Sequence, residues 1–178
     1  NPDGSQDMDF GIDGAVLTPI GTNSGDVCFT MVVQPDGKIL AGGYFQYHDG
    51  QARSAVERLN LDGTHDPGFT SPLYAYSVVR ALAVQADGKI LVGGEFTSTE
   101  YANAVPGPER LVRVLPDGTR DTSFGIGAGV GPGTQTTGYV HTLAVQPDNK
   151  ILVGGHFETV DTETQYHQIV RLLDGSTN

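Results

Sequence analysis

The chain has 178 residues, which is enough for one domain with its own apolar core. Ten lysines and arginines against 21 aspartates and glutamates give a formal net charge of −11 at pH 7. A surface of this sign repels phosphate backbones and anionic lipid headgroups, so we expect no nucleic acid partner and no membrane insertion.

The first ten residues have the pattern of a turn followed by a short strand. An Asp-Gly pair supplies the turn and Phe10 ends the strand, and the same order of residues returns at 62–69 and 117–124. Relative to those later units, the chain is out of phase by one strand. We therefore predict that residues 1–10 are the closing strand of a split repeat.

The first complete repeat opens with two predicted strands joined by a turn. The strand at 27–34 is apolar, and we expect its Cys28 to be a small core residue. Pro-Asp-Gly at 35–37 predicts a turn, because proline presets φ and glycine accepts a positive φ. The strand at 38–45 carries apolar side chains in both directions, which indicates a sheet buried on both faces.

Two glycines inside the second strand, Gly42 and Gly43, are typical of close backbone packing. A third strand is predicted at 56–60. An Asp-Gly turn follows it and leads into a fourth short strand that ends at Phe69. One repeat is therefore predicted to contain four strands.

Two further copies of this unit follow. The block Val-Gln-Pro-Asp-Gly-Lys-Ile-Leu-Ala-Gly-Gly-Tyr-Phe at 33–45 returns with few changes at 84–96 and 145–157. A repeat of this length indicates supersecondary units that stack and bury a shared core. The predicted repeats cover approximately 27–69, 78–124 and 139–178.

The fold predicted for 1–178 is all-β, because no segment has a helical period. Four-stranded units in series, with the terminal repeat split between the N- and C-termini, favour the blades of a β-propeller. A β-trefoil is the alternative, since it is also built from three repeats. Closed propellers have about four to eight blades. We therefore expect completion by neighbouring domains of a longer chain or by other copies, two of which would supply six blades.

The repeated motif resembles the delta-60 repeat family of bacterial β-propellers. The block at 33–45 is followed by Arg-Leu-Asn-Leu-Asp-Gly at 58–63, and both halves recur in order along the chain. Members of the family are generally large, secreted or surface-associated proteins without an assigned activity. The resemblance therefore implies a propeller fold and an extracellular or cell-surface location, and it leaves the molecular task open.

Residues that differ between the repeats are the first candidates for a binding site. Antiparallel pairing of the first two strands brings together two rows of equivalent positions: Phe29, Arg80 and His141, and Tyr44, Glu95 and His156. Arg80 and Glu95 are expected to form an ion pair. His141 and His156 together supply the minimum for a metal site. The variable loops add four residues that could bind a glycan or a protein: Tyr47, His48, Tyr101 and Tyr166.

We expect no cofactor, and calcium is the one alternative that the sequence leaves open. Asp161 and Glu163 in the third loop are candidate ligands, since calcium binds oxygen-rich loops. The segments 3–7, 62–66 and 117–121 also place carboxylates four residues apart. Aspartates in such positions commonly accept hydrogen bonds from their own turn, which favours a structural role.

Three hypotheses for the function follow. The sequence has no Gly-x-Ser-x-Gly, His-Glu-x-x-His or phosphate-loop pattern, which favours a non-catalytic extracellular scaffold that associates with copies of itself or with neighbouring domains. A lectin-like module that binds a glycan or protein through the variable loops is the second. The third is a hydrolase or lyase with an axial site near Arg80, Glu95 and His156.

Overall fold

The computed structural model describes residues 2–11, 15–16, 25–45, 47–48, 51–52, 55–73, 77–96, 110–125, 130–131, 138–160 and 163–173, with only the backbone at 47–48, 51–52 and 163–167. Within these ranges the chain forms strands and turns and no helix. None of the described residues therefore belongs to a helix that is long and apolar enough to cross a membrane.

The described strands fall into three groups, one for each repeat. The first group is β1 (Val27–Val33), β2 (Ile39–Tyr44), β3 (Tyr47–His48), β4 (Gln51–Ala52) and β5 (Val56–Leu59). The second is β6 (Val78–Val84), β7 (Ile90–Glu95) and β8 (Leu111–Val114). The third is β9 (Val130–Gly131), β10 (Tyr139–Val145), β11 (Ile151–Val160) and β12 (Glu163–Leu172).

Each repeat forms an antiparallel sheet in which sequential strands are neighbours. The orders are β1-β2-β5, β6-β7-β8 and β10-β11-β12; β9 pairs with the far end of β11, and β3 pairs with β4. Strand β6 packs against β1 and β2, and β10 packs against β6 and β7. The three sheets are therefore stacked in chain order, as the repeat predicts.

The apolar core lies between consecutive sheets. One cluster joins Leu40 and Val56 of the first sheet to Val79 and Leu82 of the second. An equivalent cluster joins the second sheet to the third, with Leu111 packed among residues that include Val140. The middle strands β2 and β7 are buried on both faces, as their apolar pattern predicts, whereas Leu152 of β11 in the third sheet is only partly buried.

The predicted fourth strand is reduced to a single β-bridge in the two repeats where it is described. Leu59 bridges His65, and Val114 bridges Arg120. In the first repeat Asp66 then accepts a hydrogen bond from the Gly68 amide, which turns the chain away from β5. The intervening Pro67 has no N–H to extend the ladder.

A buried ion-pair group fastens this fourth segment to the third strand, and we call it a latch. In the first latch, Nε of Arg58 donates to Asp66 at 2.6 Å and Nζ of Lys38 donates to the same carboxylate at 2.8 Å. The Arg58 guanidinium lies 5.0 Å from the centroid of the Phe69 ring. Here the closing segment is fixed by charge and ring contacts more than by ladder hydrogen bonds.

The second latch repeats these contacts with Arg113, Asp121, Lys89 and Phe124. Nε of Arg113 donates to Asp121 at 2.8 Å, and Nζ of Lys89 lies 3.3 Å from the same oxygen. The Arg113 guanidinium is 4.6 Å from the Phe124 ring centroid. The latch is therefore a property of the repeat.

The expectation that Cys28 is a core residue is wrong, because its side chain is exposed. Its equivalents Val79 and Val140 are fully buried against the preceding sheet. Cys28 belongs to the first sheet, which has no preceding sheet among the described residues. Its exposure therefore depends on a neighbouring unit and not on its own strand.

Candidate functional site

The first strand of each sheet (β1, β6 and β10) carries a β-bulge at the same position. In the first sheet Cys28 pairs with Gly43 and Thr30 with Gly42, so Phe29 is the extra residue. Arg80 and His141 occupy the same bulge position in β6 and β10. A bulge re-aims the side chain that it carries. The three residues of the first predicted row are therefore equivalent in structure as well as in sequence.

The second glycine of each pair makes room for the bulge. A Cβ at Gly43 or Gly94 would lie 2.0 Å from the carbonyl oxygen of Val27 or Val78, and one at Gly155 would lie 2.2 Å from that of Tyr139. Each of these carbonyl groups is on the neighbouring strand, two residues before the bulged residue. This contact is with backbone, which cannot rotate away as a side chain can. The close backbone packing that the sequence predicts is therefore the contact between glycine and bulge.

Arg80 lies at the centre of the candidate site and contacts all three repeats. Its Nε donates a hydrogen bond of 2.5 Å to Oε1 of Glu95, so the expected ion pair is present. The guanidinium lies 5.2 Å from the ring centroid of Phe29 and 5.8 Å from that of Tyr139. The Arg80 and Glu95 side chains are 30% and 38% exposed, so water screens the pair.

His141 and His156 both contact Tyr139. The ring centroids of Tyr139 and His141 are 4.5 Å apart in an edge-on arrangement, and those of Tyr139 and His156 are 5.6 Å apart. Both histidines are exposed. Among the described side chains no group of three or more His, Cys, Asp or Glu residues could hold a metal ion.

Tyr139 is the member of this cluster that the sequence analysis missed. It occupies the position of Val27 and Val78, directly opposite His156 in the ladder. The available signal was the change from valine to tyrosine at an otherwise apolar position. The sequence analysis compared positions 29, 80 and 141 with the second strands, and it did not compare positions 27, 78 and 139.

The other predicted site residues are described in part or lie outside the described residues. Tyr44 ends β2 opposite Val27. The backbones of Tyr47 and His48 lie in β3, and those of Glu163 and Tyr166 lie in β12, while nothing is described of these four side chains. Tyr101 and Asp161 lie outside the described residues.

The carboxylates of the Asp-Gly turns accept hydrogen bonds from their own turns. Oδ1 of Asp62 accepts from the Thr64 hydroxyl at 2.6 Å and from the Thr64 amide at 3.0 Å. Asp117 binds Thr119 in the same way. The hydrogen bonds from Thr64, first its hydroxyl and then its amide, lower the pKa of Asp62. These contacts are those expected of structural turns.

A cavity of about 480 Å³ lies at the opposite end of the strands from Arg80. The ends of β1, β6 and β10 line it, together with three equivalent glutamines: Gln34, Gln85 and Gln146. Oε1 of Gln85 accepts a hydrogen bond from Arg113 at 3.4 Å. Its described lining residues include no acid, base or nucleophile, and the glutamines offer polar contacts.

The two outer faces of the stack of sheets expose large apolar side chains. On the face that we call the tail, Ile169 is 74% exposed, whereas its equivalents Val56 and Leu111 are 1% and 0% exposed. On the opposite face, which we call the head, Met31 is 70% exposed and its equivalent Leu82 is 8% exposed. Both outer faces therefore present residues whose equivalents are buried or partly buried between repeats.

The tail face also has the space that a neighbouring repeat fills elsewhere. A Cβ at Gly42 would lie 2.6 Å from Val79 of the next repeat, and one at Gly93 would lie 2.6 Å from Val140. At the equivalent Gly154, the described atoms within 4 Å all belong to its own repeat. Between neighbouring sheets inside the chain, a surface equivalent to the tail packs against a surface equivalent to the head. The head and the tail are thus the two halves of the same kind of interface.

The comparison with protein families agrees with this architecture. The family model described as "Domain of unknown function (DUF5122) beta-propeller" matches residues 34–69, 85–124 and 146–173. No curated protein sequence matches the chain significantly. The match decides for the β-propeller against the β-trefoil alternative and confirms the resemblance to delta-60 repeats, with which the family is associated. The chain belongs to the DUF5122 β-propeller family.

Proposed function

We propose that the chain is a non-catalytic interaction module, outside the cell or on its surface, whose two outer faces dock further propeller blades. The observation that carries this proposal is the contrast in exposure between equivalent residues. Ile169 and Met31 are exposed, while Leu111 and Leu82 in the same positions are buried between repeats. Burying a side chain of this size contributes about 1.5–3 kcal/mol.

The described polar groups support a binding role over a catalytic one. Arg80 and Glu95 neutralise each other, and both are partly open to water. Catalytic acids and bases are typically found in pockets that limit water and shift their pKa. No described residue that lines the cavity at the other end of the strands is ionisable. The family resemblance favours a secreted or surface-associated location.

A tandem of two copies tests whether the faces dock blades. The C-terminus of one copy is joined to the N-terminus of the next by a short flexible linker. The tail of the first copy then meets the head of the second at high effective concentration. We expect a thermal unfolding midpoint at least about 5 °C above that of a single chain that carries Met31→Asp and Ile169→Asp.

The matched control is the same tandem with Ile169→Asp in the first copy and Met31→Asp in the second. These positions are exposed in the single chain, so the substitutions should not impair the folding of either copy. Circular dichroism follows the melting of all three proteins. If the unmodified tandem melts like the control, the outer faces do not dock blades and the proposal is wrong.

A second candidate function is glycan or protein binding beside Arg80. The observation that favours it is the half-exposed Phe29 ring, which lies against the Arg80 guanidinium and offers an open aromatic surface. On a glycan array, we expect Phe29→Ala to weaken any signal at least about tenfold. The control Leu61→Ala changes an exposed apolar residue in a turn and should leave the signal unchanged. Equal signals from both variants would contradict binding at this site.

A further inference from the structure

We propose that a second copy of this chain docks head to tail and completes the third latch in trans. In this arrangement Asp7 and Phe10 of one copy bind Arg171 of the other. The inference rests on the proposed function, since it names the partner that the outer faces take. It goes further by specifying which charged groups meet.

Among its described residues, the third repeat contains only the basic half of a latch. Arg171 of β12 lies opposite Leu152 of β11, as Arg58 lies opposite Leu40 and Arg113 lies opposite Leu91. Arg171 is exposed, and no described carboxylate or ring contacts it. The third repeat thus presents an arginine at the latch position without its described acidic and aromatic partners.

The lysine of the third latch likewise contacts no buried carboxylate among the described residues. Lys150 follows its turn as Lys38 and Lys89 follow theirs. Its Nζ lies 2.6 Å from the exposed Asp148 of that same turn. In the second repeat, Lys89 reaches the equivalent Asp87 at 3.6 Å and also reaches the latch carboxylate. A further carboxylate beside Lys150 would restore the pattern of the other repeats.

The N-terminal segment has the conformation of the acidic half. The Ser5 amide donates to Asp3 at 3.0 Å, as the Thr119 amide donates to Asp117 at 2.9 Å. The Asp9 amide donates to Oδ1 of Asp7 at 3.1 Å, which is the bond that the Asp121 carboxylate accepts in the second latch. Asp7 is exposed, and no described cation pairs with it.

The position of this segment shows where the repeat that it closes would lie. The Gly11 amide donates to the carbonyl oxygen of Asp62 at 3.0 Å, and the Thr70 amide donates to that of Asp117 at 3.0 Å. The N-terminal segment therefore sits beside the first repeat as 62–69 sits beside the second. Its own repeat would precede the first repeat, on the head face that exposes Met31.

The third repeat of a second copy fits that position. It would bring Arg171 and Lys150 to Asp7, and it would place Gly154 and Ile169 over Met31. The same placement inside the chain sets Leu82 against Gly42 and Leu143 against Gly93. Such a contact is heterologous, so it forms a closed ring or a filament according to its rotation.

A charge exchange tests the inference. One variant carries Arg171→Glu and the other carries Asp7→Lys. Each alone places like charges at every head-to-tail contact, so we expect self-association at least about 100-fold weaker than that of the unmodified chain. In an equimolar mixture, every contact between the two different variants places opposite charges at positions 7 and 171. Assembly should therefore return to the unmodified level.

Sedimentation velocity over a range of concentrations measures association for the unmodified chain, each variant and the mixture. Asp9→Lys is the matched control, because it makes the same charge change two residues from Asp7 and should leave assembly unchanged. The single cysteine gives an independent readout, since Cys28 lies on the head face and should react more slowly with a thiol reagent when that face is covered.

Recovery in the mixture, as rings or as filaments, supports the inference. It is overturned if the unmodified chain is monomeric at all concentrations or if the mixture stays monomeric. It is also overturned if Asp7→Lys dissociates the assembly while Arg171→Glu does not, because this pattern indicates a head-to-head contact. If the chain is monomeric while the tandem is stabilised, association with a second copy in trans is rejected, and the proposed docking of blades within one longer chain is retained.

Discussion

Replacement of Gly94 by alanine is expected to destabilise the second repeat by at least about 3 kcal/mol. The new Cβ would lie 2.0 Å from the carbonyl oxygen of Val78 and 3.0 Å from Cα of Val79. Both are backbone atoms of the bulged strand, so the clash is relieved only by moving β6 away from β7. Urea unfolding followed by circular dichroism gives the free energy of unfolding.

Gly25→Ala is the control for this substitution. No described atom lies within 4 Å of a Cβ at Gly25, and its φ lies outside the positive range. The same chemical change should therefore leave stability within about 0.5 kcal/mol. If Gly94→Ala is as stable as Gly25→Ala, the contact between glycine and bulge does not exist in solution.

The bulge connects this stability to the candidate site, because it holds Arg80. An ordinary ladder would place Arg80 directly opposite a residue of β7 and alternate its neighbours strictly between the two faces. The extra residue instead leaves Arg80 against Glu95, with the rings of Phe29 and Tyr139 nearby. A glycine is therefore needed at this place in every repeat.

The sequence predicted the strands, the turns and the equivalence of the rows that contain Arg80 and Glu95. These features depend on local chemistry and on repetition, which a single chain displays directly. The bulge was not predicted, since one inserted residue leaves the alternation of apolar and polar side chains intact on either side of it. Its one signal is the second glycine of each pair.

The two errors have different causes. Cys28 has the apolar character of a core residue, but its side chain is exposed, whereas its equivalents Val79 and Val140 are buried against a preceding sheet. The fourth strand was predicted to follow the Asp-Gly turn. In both repeats where it is described it stops at one bridge, because an aspartate accepts the amide of the residue two positions on, Asp66 from Gly68 and Asp121 from Ser123. Burial was therefore set by a neighbouring sheet, and strand length by a local hydrogen bond that the apolar pattern does not display.

Asp121→Asn is expected to lower the free energy of unfolding at neutral pH by about 3 kcal/mol. The Arg113 side chain is 5% exposed, and the substitution leaves it without the buried negative charge that it now faces. Asp117→Asn is the control, since it changes a fully exposed turn carboxylate and should lower the free energy of unfolding far less than Asp121→Asn does. Urea unfolding distinguishes the two variants.

The same substitution should change how stability depends on pH. Burial alone would raise the pKa of Asp121, but the hydrogen bonds from Ser123, Lys89 and Arg113 outweigh it and lower the pKa well below 3.8. In the first latch the corresponding bonds likewise outweigh burial and lower the pKa of Asp66 to about 2.

Because these pKa values are depressed by folding, the stabilisation is fully present above the unfolded pKa and is lost as the pH falls through the folded one. The unmodified protein should therefore lose stability steeply between about pH 4 and about pH 2, and Asp121→Asn should lose less over the same interval. Thermal unfolding across this range measures both slopes. Equal slopes would mean that the second latch carboxylate titrates alike in the folded and unfolded chains, and the latch would then contribute no net electrostatic stabilisation to the blade.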